Sequence, residues 1–176
     1  MSADIRIRQA DPDADIEGLI DVLVDCVEGG ASVGFMLPFS RERAEVFWTG
    51  ILPSAALGER VLLVAEDLGD GGLVGTVQVV LSAPENQPHR GEISKMLVRR
   101  GARRRGIGDA LMKAAEVVAL DAGKSLLVLD TASPEAERLY DRLGWQRVGV
   151  VPGYALWPSG GLADTIVFYK TLTPPT

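Results

Sequence analysis

The chain has 176 residues, 47% of them hydrophobic and 24% charged, with a net charge of −6 and a pI near 4.8. That length supports one well-buried core and is short for two. An acidic whole with only local basic runs argues against a broad nucleic-acid footprint and for a local anion site.

In chain order, Ile5-Arg6-Ile7-Arg8 alternates as a half-exposed strand. Asp11-Pro12-Asp13 opens a helix with Ile16, Leu19, Ile20, Leu23 and Val27 on one face, and Gly29-Gly30 ends it. The apolar segment Gly34–Phe39 reads as a loop folded over the core. Ser40 then caps a second helix through Trp48. Val61–Ala65 and Val74–Leu81 flank Gly69-Asp70-Gly71-Gly72 as a β-hairpin. After the polar stretch Ser82–Arg90 comes a strand, Glu92–Val98, whose period of two puts Glu92, Ser94, Met96 and Val98 on one face. Lys95 then falls on the opposite face with Ile93 and Leu97, where a packed helix is expected; pairing with a carboxylate such as Asp130, or an irregular strand, would account for it. A loop and a long helix ending at Ala122-Gly123 follow, then strand Ser125–Asp130 and a helix that starts at Pro134 and stops at Gly144. Two alternating runs, Gln146–Tyr154 and Thr165–Lys170, close the chain around the turn Pro158-Ser159-Gly160-Gly161. This order predicts one α/β domain over residues 1–172, a mixed sheet with helices on both sides, and a loose tail at 173–176.

Cys26 is the only cysteine and His89 the only histidine, so an internal disulfide and a His/Cys metal cage are excluded and no metal is expected. The segment Met1–Arg6 lacks the pattern of a signal peptide, and no apolar run reaches the length of a membrane span. A cytoplasmic protein is expected, with no membrane or nucleic-acid partner and with a homodimer left open.

The most informative segment is Arg103-Arg104-Arg105-Gly106-Ile107-Gly108, between the strand ending Met96-Leu97-Val98 and the helix that Asp109 enters. Strand, cationic glycine loop and helix N-terminus together suit a pyrophosphate, because N–H groups converge, the helix end is partly positive and the arginines carry full charge. The Rossmann fingerprint is missing, since Leu111 stands where its third glycine belongs; so is the P-loop, since Gly108 is followed by Asp109-Ala110. A solvated cap is the plainer reading of such an arginine run. What remains, Arg-x-x-Gly-x-Gly, resembles the coenzyme A loop of the GCN5-related N-acetyltransferase (GNAT) superfamily. A second segment agrees: Ala136-Glu137-Arg138-Leu139-Tyr140, with Gly144-Trp145 beyond it, is similar to that superfamily's Ala-x-x-Leu-Tyr helix. The resemblance spans residues 60–170 or so, and Asp130–Ser133, Gly153–Leu156 and Phe168–Lys170 resemble the small bacterial acetyltransferases related to tabtoxin resistance.

The resemblance implies a mostly antiparallel sheet flanked by helices. It also implies transfer of an acetyl group from acetyl-CoA, as cosubstrate, to the primary amine of a small-molecule acceptor. Acetylation of protein N-termini or lysines is the alternative, and would need an open groove between the Phe35–Phe39 loop and the terminal hairpin; a non-catalytic acyl-CoA sensor is another. Cofactor contacts are expected from Met96, Leu97 and Val98 along the pantetheine arm and from Arg103, Arg104, Arg105, Gly106, Ile107, Gly108 and Asp109 at the phosphates. Ser133 stands where many members carry an asparagine. An alkyl ammonium has a pKa near 10.4, so a base or a desolvating site is needed at neutral pH. Glu92 is the candidate base, with a water-facing strand carboxylate as the plain reading and Asp130 as the other candidate. Tyr140 is the candidate acid for the departing thiolate, and it also sits in the apolar stripe Ala136, Leu139, Tyr140, Leu143.

Overall fold

The structure, a computed structural model, describes residues 4–173, so residues 174–176 of the expected tail lie outside the described residues. The elements are β1 (Ile5–Gln9), α1 (Ile16–Glu28), α2 (Arg41–Ala56), β2 (Arg60–Asp67), β3 (Gly72–Val80), β4 (Arg90–Val98), a 3-10 turn (Arg100–Ala102), α3 (Ile107–Asp121), β5 (Leu126–Thr131), α4 (Pro134–Arg142), β6 (Gln146–Leu156) and β7 (Leu162–Thr171). The strands form one seven-stranded sheet in the order β1-β2-β3-β4-β5-β7-β6. Only β4 and β5 are parallel neighbours, and α3 supplies the crossover such a pair requires. The expected single α/β domain with a mostly antiparallel sheet is the fold observed.

Each face of the sheet carries its own core because side chains alternate along a strand. Leu63, Val77, Val79, Ile93, Leu127 and Phe168 pack with Leu111, Met112 and Ala115 of α3 and with Leu139 and Tyr140 of α4. Leu62, Val64 and Leu97 pack with Leu19, Leu23 and Val27 of α1 and with Trp48 of α2. The indole of Trp48 is fully buried, and its N–H donates to the Leu19 carbonyl at 2.9 Å.

Helix α1 begins later than expected. The Asp11 carboxylate accepts the N–H groups of Asp13 and Ala14, each at 3.0 Å, which holds the segment as a turn. Asp15 is drawn instead to Arg8, at 2.6 and 2.8 Å, tying that turn to β1. Helix α2 starts as expected, with Ser40 Oγ accepting the Arg43 N–H at 3.3 Å.

The alternation expected for β4 fails at one residue. Ser94 lies opposite Gln78 and Leu97 opposite Thr76, so Lys95 and Met96 together face Val77. Such a bulge inserts one residue and reverses the faces beyond it; Lys95 takes the left-handed conformation, with φ 51. Ile93 therefore packs on the α3 side, and Leu97 on the side of α1 and α2. Glu92 and Ser94 do not share a face with Met96 and Val98. Lys95 joins the Glu92 side, where its ammonium sits 5.6 Å from the centre of the Phe47 ring on α2.

Candidate active site

The bulge also opens the sheet. Strands β4 and β5 pair only from Arg90 to Glu92 against Leu126 to Val128, and then part. Into this fork opens a cavity of about 740 Å³, bordered by Ser94–Val98 on one arm and Leu129–Ser133 on the other. It has two chemically different halves.

One half is cationic and rich in free backbone donors. Beyond Glu92, β4 has no strand beside its β5-facing edge, so backbone groups of Met96 and Leu97 border the cavity without a strand partner there, while the Val98 carbonyl accepts the Arg103 Nε at 3.4 Å and the Cys26 thiol at 3.5 Å. Arg104 and Gly106 both adopt left-handed backbone, φ 62 and 77, and a Cβ placed on Gly106 would meet nothing within 4 Å. Ala110 is the first residue of α3 whose N–H reaches a helical carbonyl, that of Gly106, and the helix has no side-chain N-cap. Among the described residues the N–H groups of Ile107, Gly108 and Asp109 are thus left without partners at the positive end of the helix dipole, beside the cavity. Arg103 and Arg104 also border it. Free donors, two guanidinium groups and an open strand edge fit the diphosphate and amide-bearing arm of coenzyme A.

Several expected contacts have other work. The Arg105 guanidinium pairs with Asp67 at 2.7 Å, and Arg105 is not among the residues that border the cavity. Gly108 permits close packing, since a Cβ there would lie 3.0 Å from Leu139 Cδ2. The Asp109 carboxylate pairs with Lys113 at 2.7 Å. Ser133 borders the cavity as the cap of α4: its Oγ accepts the Ala136 N–H at 3.2 Å and donates to Glu135 at 3.1 Å.

The other half carries carboxylates. Glu92 stands at the vertex of the fork, and Asp130, one pleat beyond the last paired β5 residue, accepts the Thr165 hydroxyl at 2.7 Å. Lys95, Tyr154, Trp157 and Asp164 complete this end. Burial pushes the Lys95 ammonium below its ordinary range, offset in part by the charge of Asp130. Tyr140 borders the cavity with only 4% of its surface exposed. Burial of the phenol, aided by Asp130, pushes its pKa well above the usual tyrosine value.

The loop over this half is apolar and tethered. Phe35 packs on Phe39 and Phe47, with ring centres 4.6 and 5.2 Å apart, and the Leu37 N–H donates to the Pro158 carbonyl at 2.9 Å. Thr165, Trp157 and Asp164 were not expected here from the sequence. The buried alternation of Ala163 and Thr165 along β7 was the available signal, but nothing local says that β7 passes beside the fork. His89 and Ser159 lie off the cavity. Among the described residues no group of three or more His, Cys, Asp or Glu side chains is placed to hold a metal ion, and no helix is long and apolar enough to cross a membrane.

Comparison with known proteins agrees with this geometry. The model of the acetyltransferase (GNAT) family matches residues 31–145. An uncharacterized N-acetyltransferase from Azospirillum brasilense is 29% identical over 168 residues, covering 92% of this chain and 97% of that one. An N-acetyltransferase from Staphylococcus aureus Mu50 superposes with a TM-score of 0.79 at 19% identity, over 97% of this chain and 99% of the other. A phosphinothricin acetyltransferase from Sinorhizobium meliloti, solved in complex with acetyl-CoA, gives 0.78 at 22% identity, over 100% and 94%. With the fork between β4 and β5, the free N-terminus of α3 and the tyrosine of α4 all in place, the chain belongs to the acetyltransferase (GNAT) family.

Proposed function

We propose that this chain transfers the acetyl group of acetyl-CoA to the primary amine of a small-molecule acceptor by direct attack on the thioester, and that it does so in the cytoplasm. The observation that carries the small acceptor is the hydrogen bond from Leu37 to Pro158. It joins the Gly34–Phe39 loop to the β6–β7 turn, across the place where a peptide chain would need an open groove. The lone, buried Cys26 suits a reducing compartment.

Acetyl-CoA supplies an acyl carbon already activated by sulfur. The N–H groups at the start of α3, with Arg103 and Arg104, hold its phosphates, and the free edge of β4 aligns its arm. A backbone N–H on that edge stabilises the carbonyl oxygen as charge develops there. Glu92 takes the proton of the acceptor ammonium, directly or through one water, so that a neutral amine faces the acyl carbon. Tyr140, kept protonated by burial, donates its proton to the departing sulfur and recovers one from the nitrogen of the tetrahedral adduct, directly or through water, so that amide and thiol leave with the enzyme's acid restored.

The test incubates the protein with acetyl-CoA and either a panel of small amines or a library of peptides bearing free N-termini and lysines. Free thiol release and the mass of the product are followed. Acetylated small amines are expected. Acetylation confined to peptides would overturn the acceptor class, and no thiol release with any acceptor would leave a binding protein rather than an enzyme.

A further inference from the structure

Under α2, cations and donors outnumber their acceptors. The Lys95 ammonium makes no ion pair within 4.0 Å and no hydrogen bond among the described residues, although it is half-buried and borders the cavity. The Phe47 ring offers it only a weak cation–π contact. Behind it, Arg60 is held, among the described residues, by neutral groups alone: its Nε donates to Ser54 Oγ at 3.1 Å and its Nη1 to Gln78 Oε1 at 2.6 Å. That leaves Gln78 Nε2 as the one fully buried side-chain polar atom without a partner among the described residues. Lys95 and Arg60 are near enough for Arg60 to disfavour the Lys95 charge. A buried charge is expensive unless it is paired. The bulge that places Lys95 here costs a non-glycine residue in left-handed backbone.

From this we infer that Lys95 binds an anionic group of the acceptor, and that the acceptor is a small zwitterion of the amino-acid class, its carboxylate on Lys95 and its amine toward Glu92 and Asp130. The charges are arranged for such a molecule. Lys95 feels the fields of Asp130 and Glu92 but, among the described residues, bonds to neither, so its donors stay free while carboxylates stand nearby to receive an ammonium. A plain alkylamine would satisfy the carboxylates and leave Lys95 bare. A zwitterion satisfies both, with Arg60 reinforcing the positive potential from behind. The inference rests on the acetyl-transfer reading for the direction of the amine, but the subsite itself can be tested by binding alone.

The experiment compares matched pairs: L-amino acids, the amines left when their carboxylate is removed, and the corresponding aminophosphonates. For wild type, Lys95→Met and Lys95→Arg, kcat/KM is measured by thiol release, and affinity by calorimetry on protein saturated with coenzyme A. Thermal melts confirm that each variant folds. In wild type at least one amino acid should exceed its decarboxylated partner by about tenfold or more, the size of one charge-assisted contact. In Lys95→Met that ratio should fall toward one through a raised KM, and Lys95→Arg should restore much of it. Preference for the aminophosphonate would keep the anion subsite and change the anion. Discrimination in binding without thiol release would keep the subsite and remove the acetyl-transfer reading. Preference for the decarboxylated amines, a ratio unchanged in Lys95→Met, or no binding by any amino acid or aminophosphonate would overturn the inference.

Discussion

The ring of Tyr140 packs against Trp145 and Phe168, at 6.0 and 5.6 Å between centres, while its hydroxyl makes no hydrogen bond among the described residues. Packing and chemistry can therefore be separated at one atom. Tyr140→Phe keeps the ring and its contacts, and deletes no protein hydrogen bond, so the melting temperature should hardly move. If the phenol protonates the leaving sulfur, kcat should fall by about 10²-fold with acetyl-CoA affinity little changed; a near-normal kcat would return Tyr140 to the core alone. Because its folded pKa is raised, the acid stays loaded past pH 10, and the rate should not decline below that on its account. Glu92 predicts the opposite dependence. Glu92→Gln should lower kcat/KM at neutral pH, with the deficit shrinking toward high pH as free amine becomes abundant. A pH–rate profile parallel to wild type would move the base to Asp130, whose carboxylate is already oriented by Thr165.

At the scale of elements, the cofactor half depends on how closely β3, β4 and α3 approach one another. Gly75 on β3 faces Val98, and a Cβ there would stand 2.9 Å from the Leu97 carbonyl oxygen, 3.1 Å from Leu111 Cδ1 and 3.2 Å from Ile107 Cγ2. The first of these is backbone and cannot swing aside. Gly75→Ala must displace β4 or the first turn of α3, which are two walls of the proposed cofactor site. We expect a loss of about 1–3 kcal/mol in urea unfolding, with weaker acetyl-CoA binding. Unchanged stability would mean that the contact relaxes without moving either wall. The bulge in β4 belongs to this scale too, and it shows why part of the site escaped the sequence. Ile93-Ser94-Lys95-Met96-Leu97 alternates well enough to read as a regular strand. Only the pairing with β3 reveals that two residues share one place. Period two thus misassigned Met96, Val98 and Lys95, while Glu92, before the bulge, kept its face.

Across the whole molecule, element order and fold class were legible because each local signal agreed with the next: Ser40 as cap, Gly106 at a left-handed turn, Pro134 and Gly144 at the ends of α4. Residues that meet only through tertiary structure were less visible. Arg105 looks like its neighbours in sequence, yet Asp67, 38 positions earlier, claims it. Thr165 and Trp157 reach the carboxylate-lined half of the cavity because β7 pairs with β5, a long-range fact that no local pattern encodes. The central claim is that the fork between β4 and β5, closed at one end by the Arg104–Asp109 turn, is an acetyl-CoA site. Calorimetric titration of acetyl-CoA into wild type and Gly106→Asp tests it most directly. The aspartate adds a negative side chain, at a left-handed position, where the phosphates must approach. Wild type should bind one acetyl-CoA per chain, and the variant about 100-fold or more weakly, a difference of about 2.7 kcal/mol, while both melt cooperatively. Equal affinity in the two proteins would contradict the account.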